Sequence, residues 1–342
     1  MAEFIELSND QRREMINSRQ RFQALQQAET RARGYRGSMV WENAKGHEYL
    51  VRAYYDNDSA KRRQKSLGRR TAATELIKKT FEDERIEAVE DQKNLKALMV
   101  QQAAINRVLG LGRVPQIAAK ILRGVEGSGL LGSGLRVVGT NALYAYEAAC
   151  GVIFDPGITA TEDIDLLFDA RRRLRLFGEG PASGAVFLDL LKHADTSFKR
   201  LNSTFRAQNR DGYLVDLIKP LRNPPWQAEK ALSVDVDDLE AAAIEGLVWL
   251  ENAPAFEQVV IDERGGLLRM VAVDPRVFAI HKHWLSQRRD REPVQRGRDL
   301  AQAKAVFALV KQHLQHLPME AGEFKMIPKD IVGSAIEALT KG

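Results

Sequence analysis

Asp163 and Asp165 stand two residues apart in the run Thr161-Glu162-Asp163-Ile164-Asp165-Leu166-Leu167-Phe168-Asp169. A strand sends residues i and i+2 to the same face, so this spacing aims two carboxylates at one spot. Like charges so placed repel unless a proton or a cation lies between them, which points to a divalent ion, Mg²⁺ or Mn²⁺, shared with a phosphate ligand. Upstream, the β-branched run Arg136-Val137-Val138 leads into Gly139-Thr140-Asn141 and then an apolar helical pattern. Where a strand gives way to a helix through glycine, free backbone N–H groups can face an anion, and phosphate is the anion this geometry suits. A third acid, Asp216, is alone in the apolar run Tyr213-Leu214-Val215-Asp216-Leu217-Ile218. A buried carboxylate needs a partner. The partner is either a shared metal ion or Arg206, which faces Asp216 across a hairpin closed by Asn209-Arg210-Asp211-Gly212. Asp163 and Asp165 have a structural alternative too, in Arg171, Arg172 and Arg173 just downstream.

The elements that must hold these residues are legible from periodicity and breakers. Ser8 and Gln11 form a capping box for a polar helix ending at Gly34, whose apolar positions are only Met15, Ile16, Phe22 and Leu25. Residues 38–42 and 47–55 read as strand, turn, strand. Behind them, residues 61–70 carry Lys61, Arg62, Arg63, Lys65, Arg69 and Arg70. Cations beside Trp41, Tyr49 and Tyr54 suit a nucleic-acid surface, with rings stacking on unpaired bases; a solvated loop beside a small aromatic core is the plainer alternative. A helical period runs from Thr71 to about Leu109, and the glycines of 124–134 read as a hinge with no phosphate-loop spacing. Asp235, Asp237 and Asp238 read as the acidic start of a helix over 239–243. Residues 182–194 read as an apolar helix, 256–261 and 267–273 as a hairpin, and the helices after Asp274-Pro275 and from Arg298 complete the chain. His281 and His283 lie two apart on a helix and diverge, which excludes a shared metal.

The organisation so read has four parts: a polar helix over 1–36, a small β-sheet and long helix over 37–130, a core over 131–275 and a helical region over 276–342. The fold class is α+β: a mixed β-sheet with flanking helices bears the site, between the small sheet with its long helix and the C-terminal helices. Cys150 is the chain's one cysteine, so no intrachain disulfide forms. No apolar run approaches the ~20 residues that cross a membrane, and the N-terminus lacks a signal pattern; the expectation is a cytoplasmic protein off the membrane. Net charge is +5, and residues 1–130 carry about +7 by count, which places the surplus away from the acidic cluster.

The order Gly139-Thr140, Asp163-x-Asp165, Asp216 resembles the nucleotidyltransferase fold of the DNA polymerase β-like superfamily, with the closest likeness to bacterial proteins known by that fold alone. Thr140 stands where the usual motif has serine. The resemblance covers about 139–219, with weaker support from 275–282 and 298–303. It implies transfer of a nucleoside monophosphate from an NTP to an acceptor hydroxyl, RNA such as tRNA being favoured and protein an alternative, with release of pyrophosphate. By the same resemblance Asp163, Asp165 and Asp216 hold one or two Mg²⁺ or Mn²⁺ ions, Gly139, Thr140 and Asn141 hold phosphates, and Lys282, aided by Lys219 or Arg298, neutralises pyrophosphate. The other reading is an inactive domain of this fold serving as a nucleic-acid-binding or regulatory module. Base preference and acceptor stay open, as does self-association through the N-terminal helix.

Overall fold

The computed structural model describes residues 4–55, 62–169, 171, 187–222 and 238–341. Lys61, Arg172, Arg173, Asp235, Asp237 and the start of the helix expected over 182–194 lie outside the described residues.

The N-terminal third comprises β1 (Phe4–Glu6), α1 (Asn9–Gly34), β2 (Ser38–Ala44), β3 (His47–Tyr55), β4 (Arg62–Arg69) and α2 (Ala72–Val108). Ser8 caps α1 as its spacing to Gln11 predicts: each backbone N–H is taken by the other's side chain, at 2.9 and 3.3 Å. α1 and α2 run antiparallel. At one end Gln11 donates to the Leu109 carbonyl at 2.9 Å, and at the other Tyr35 donates to Glu84 at 2.6 Å. At 37 residues, α2 is about 55 Å long.

The N-terminal helix is tied to the rest of the chain. Met15 and Phe22 pack against a small core of Leu7, Leu111, Ile261 and Leu267. Beneath them Asn106 accepts from Ser18 and Gln102 at 3.0 Å each and donates to the Gly265 carbonyl at 2.9 Å. Residues 62–69 are a strand where a basic loop stood as the plainer reading. β4 pairs antiparallel with β3, and β3 with β2, in a three-stranded sheet. Backbone pairing decides here: the run has no apolar alternation to announce a strand.

The main body contains α3 (Gln116–Gly127), β5 (Leu135–Val138), a 3₁₀ turn (Thr140–Ala142), α4 (Leu143–Cys150), β6 (Val152–Phe154), α5 (Pro156–Thr159), β7 (Asp163–Phe168), α6 (Phe187–Ala194), β8 (Lys199–Arg200), β9 (Arg206–Gln208), β10 (Leu214–Pro220), β11 (Ala242–Ile244), α7 (Leu247–Asn252), β12 (Ala255–Ile261), β13 (Leu267–Val273), α8 (Pro275–Gln287), α9 (Pro293–His313) and α10 (Lys329–Lys341). Seven strands follow one another in the order β12-β13-β5-β7-β10-β9-β8, and β11 joins β10 to complete an eight-stranded mixed sheet. β1 lies antiparallel on β6, which anchors the chain's first strand to this body.

The glycine-rich stretch 124–134 opens inside α3, whose Ala118, Ala119, Ile121, Leu122 and Val125 are fully buried in the core, and Gly124 gives room to Leu190. A helix with a wholly apolar inner stripe tolerates glycines once packing, rather than propensity, holds it. Asp238 starts no helix at 239–243, where the chain instead enters β11. Its carboxylate accepts from the backbone N–H groups of Phe187 and Leu188 at 2.8 and 2.9 Å, stabilising the start of α6 from about fifty residues away in sequence.

Candidate active site

β7 carries the alternation expected of a half-buried strand. Ile164 and Leu166 are fully buried in the core, while Asp163 and Asp165 leave by the other face. Register does the rest. Asp165 pairs with Val138 of antiparallel β5 on one side and with Asp216 of parallel β10 on the other, and Asp216 in turn faces Arg206 of β9. The last residue of β5 therefore delivers Gly139 against Asp165. Gly139 has φ +62°, and a Cβ added there would lie 2.0 Å from Asp165 Oδ2, so both its backbone and its missing side chain are required.

The three carboxylates, Gly139 and Arg206 share a cavity of about 290 Å³. Its polar floor is β7 and β10. Its far wall is apolar, with Ile244, Leu247, Leu250, Phe278 and Leu285 from β11, α7 and α8, and Lys282, Arg291 and Gln295 close its end. The carboxyl of Asp165 is pushed up to about 7, first by burial, then by the charges of Asp163 and Asp216; Lys282 and Arg206 act in the opposite direction. Asp163 accepts from the Thr161 hydroxyl.

Asp216 already has a partner. Arg206 donates Nε to Oδ1 at 2.6 Å and Nη2 to Oδ2 at 2.5 Å, a bidentate pair. Lys282 Nζ donates to Asp299 Oδ1 at 2.8 Å, and Arg291 donates to the other oxygen of that carboxylate. Two cations on one carboxylate leave about one net positive charge in the lining of the cavity.

Thr140 and Asn141 do not line the cavity. The Thr140 hydroxyl accepts from Gln302 of α9 at 3.1 Å, and Asn141 Nδ2 donates to the Asp163 carbonyl at 2.6 Å. Both are buried; they brace the turn and β7. Lys219 and Arg298 are likewise outside the lining, and Arg298 donates to the Ala160 carbonyl. Cys150 is also outside it, with its thiol pushed up to about 12 by burial, which removes it as a nucleophile. Arg62, Arg63, Lys65, Arg69 and Arg70 belong to the three-stranded sheet and its end. Phe81, against which that sheet packs, is 25 residues along α2 from Asn106, a span on the order of 40 Å.

Sequence reasoning did not assign Arg291, Asp299 or the apolar wall. Arg291 and Asp299 meet Lys282 only through the packing of α8 on α9, for which the sequence has no local signal. The Arg206–Asp216 pair, by contrast, follows from hairpin register alone.

His281 also lines the cavity, packed among Trp249 and Trp284 with ring centroids at 6.1 and 5.7 Å. Burial, then Lys282, lowers it to about 3, so it is neutral and contributes no cation. Among the described residues no three His, Cys, Asp or Glu side chains stand as a ready ligand set for a metal ion.

A family model described as Nucleotidyltransferase matches residues 116–324, and the chain belongs to that family. No curated protein and no solved structure matches the chain significantly. The match takes in α3 and runs to the turn after α9, so it contains every residue that lines the cavity. No helix among the described residues is long and apolar enough to cross a membrane.

Proposed function

We propose that the cavity between β7, β10 and α8 transfers a nucleoside monophosphate from an NTP to an acceptor hydroxyl and releases pyrophosphate. The observation that carries this reading is the placement of Asp163 and Asp165 on one face of β7 beside Gly139, in a cavity that Lys282 and Arg291 also line.

The donor set suits Mg²⁺ or Mn²⁺. Asp163 and Asp165 offer hard carboxylate oxygens on one face of β7, and a cation between them would offset the charges of Asp163 and Asp216 that add to burial in raising Asp165. Asp163 and Asp165 would hold the ion, with Asp216 joining once Arg206 lets go of it. Bound there, the ion would supply Lewis-acid stabilisation of the charge that builds on the reacting phosphate and on pyrophosphate.

The chain's own groups do the remaining work. The Gly139 backbone lets phosphate approach β7 closely. The acceptor oxygen attacks the α-phosphorus, the bond to the bridging oxygen of the β-phosphate breaks, and the acceptor proton passes to Asp216. Lys282 and Arg291 meet the departing pyrophosphate with their shared net positive charge. The apolar wall of Leu247, Leu250 and Phe278 covers the rest of the nucleotide and excludes water.

RNA is the first acceptor class to try, because the surplus positive charge of the N-terminal third favours a polyanion and RNA ends carry free hydroxyls. The test is incubation of the protein with each α-labelled NTP, Mg²⁺ or Mn²⁺, and RNA, DNA and protein pools in parallel. Transfer of label to one pool supports the reading; metal-independent transfer, or none to any pool, refutes it.

A further inference from the structure

The outer side of α2 is apolar where water would favour polar residues. Of the fifteen large hydrophobic side chains exposed among the described residues, eight are on this one helix, a concentration that marks a contact surface rather than scatter. α1 covers the other side. Phe81, Ala88, Gln102 and Asn106 of α2 are buried, with Ser18 of α1 bonded to Asn106 and Glu14 to Gln102. Met15 and Phe22 of α1 pack within the chain, so the apolar residues left without a partner are those of α2.

The helical period sets Glu90, Lys93, Ala97, Val100, Ala104 and Arg107 in a row on the side of α2 turned away from that seam, and all six are exposed. Val89 and Val108 flank the row. Val89, Val100 and Val108 are 48%, 73% and 88% exposed. Among the described residues neither Glu90 nor Arg107 has an ion-pair partner.

The order of these residues is self-complementary. About the midpoint between Leu98 and Met99, turning the helix end for end exchanges Glu90 with Arg107, Lys93 with Ala104, Ala97 with Val100 and Val89 with Val108. A two-fold axis at that midpoint therefore lays a second copy antiparallel on this face with acid on base, valine on valine, and the stem of Lys93 over alanine. Ala97 and Ala104 let the two helices approach at the close end of the usual 8–10 Å range, about 8 Å. A parallel two-fold pair would set each residue on its own copy, Glu90 on Glu90, Lys93 on Lys93 and Arg107 on Arg107, and like charges would repel. A face whose own reversal matches both its charges and its apolar groups fits a second copy of this chain.

We propose that residues 89–108 of α2 form the interface of a two-fold dimer, packed antiparallel with Glu90 of each copy on Arg107 of the other. This surface lies outside the lining of the transfer cavity, and the proposal does not depend on nucleotidyl transfer.

The test is sedimentation velocity of the full chain from about 1 to about 200 μM, the range in which a seam about 30 Å long, small for a stable interface, is expected to hold a dimer. Val100→Asp puts a carboxylate at the centre of the seam and should weaken the dimer at least ~30-fold. Glu90→Arg and Arg107→Glu each turn two attractive contacts per dimer into repulsive ones and should each weaken it about 10-fold at low salt. Glu90→Arg/Arg107→Glu exchanges the charges and should restore the dimer to within about 3-fold of wild type. All three positions are exposed, so the fold is kept, and circular dichroism verifies it. A wild-type chain that stays monomeric throughout, a dimer that Val100→Asp leaves intact, or a double exchange no tighter than the single ones overturns the proposal.

Discussion

The bidentate pair between Arg206 and Asp216 makes a prediction that joins stability to function. Arg206→Gln removes two short charge-assisted hydrogen bonds and leaves the Asp216 carboxylate, only 9% exposed, beside two other acids. Breaking a fully buried pair from one side costs about 3–5 kcal/mol. The Arg206 side chain is 35% exposed, so water screens the pair, and the expected loss falls to roughly 1–2 kcal/mol. At about 2–4 °C per kcal/mol, that is a fall in melting temperature of about 2–8 °C. Divalent metal reverses the order. With Arg206 gone, Asp216 is free to join Asp163 and Asp165, so added Mg²⁺ should raise the melting temperature of Arg206→Gln more than that of the wild type. The assay is thermal unfolding followed by circular dichroism with EDTA or Mg²⁺, with Arg206→Gln/Asp216→Asn alongside. The double variant should recover most of the loss in EDTA and lose the extra response to Mg²⁺. An Arg206→Gln variant that melts like wild type in EDTA, or gains no more than wild type from Mg²⁺, refutes the account of Asp216.

Other perturbations follow from single contacts. His281, lowered to about 3 by burial, is neutral in the fold, so its contribution to stability is complete above pH ~6.5 and declines as pH falls towards 3. Up to about 2 kcal/mol should be lost on its account between pH 6.5 and 5, and His281→Gln should flatten that part of a urea-unfolding pH series. Gly139→Ala puts a methyl group 2.0 Å from Asp165 Oδ2 at a positive φ; it should reduce transfer at least ~100-fold and destabilise by about 2 kcal/mol, measured by kinetics and urea titration. Asn106→Ala leaves Ser18, Gln102 and the Gly265 carbonyl short of a partner; a loss of about 2–3 kcal/mol in urea unfolding, with transfer retained, is expected.

The polar half of the site was legible because its spacing is local. Asp163 and Asp165 announce themselves by the period of a strand, Gly139 by its place after a β-branched run, and Arg206 opposite Asp216 by hairpin arithmetic. The apolar wall was not legible: Ile244, Leu247 and Leu250 reach the cavity through β11 joining β10 in parallel, a pairing between segments far apart in sequence. Thr140 and Asn141 share the family motif with Gly139, yet Gln302 of α9 and the Asp163 backbone claim their side chains, partners that only the packed fold brings near. β4 escaped notice because six cations in ten residues hide a strand whose stability comes from its neighbour β3 and from α2 beneath. Gly124 and Gly127 fall inside α3 because its five buried apolar residues act together, whereas propensity weighs each residue alone.

The central claim is nucleotidyl transfer at Asp163 and Asp165, and the most direct measurement compares α-labelled with γ-labelled NTP in the presence of Mg²⁺, for wild type and Asp165→Asn. The account predicts that the α-label moves to the acceptor, that the γ-label appears in pyrophosphate, and that Asp165→Asn does neither. Movement of the γ-label to the acceptor, or α-label transfer by Asp165→Asn at the wild-type rate, would contradict it.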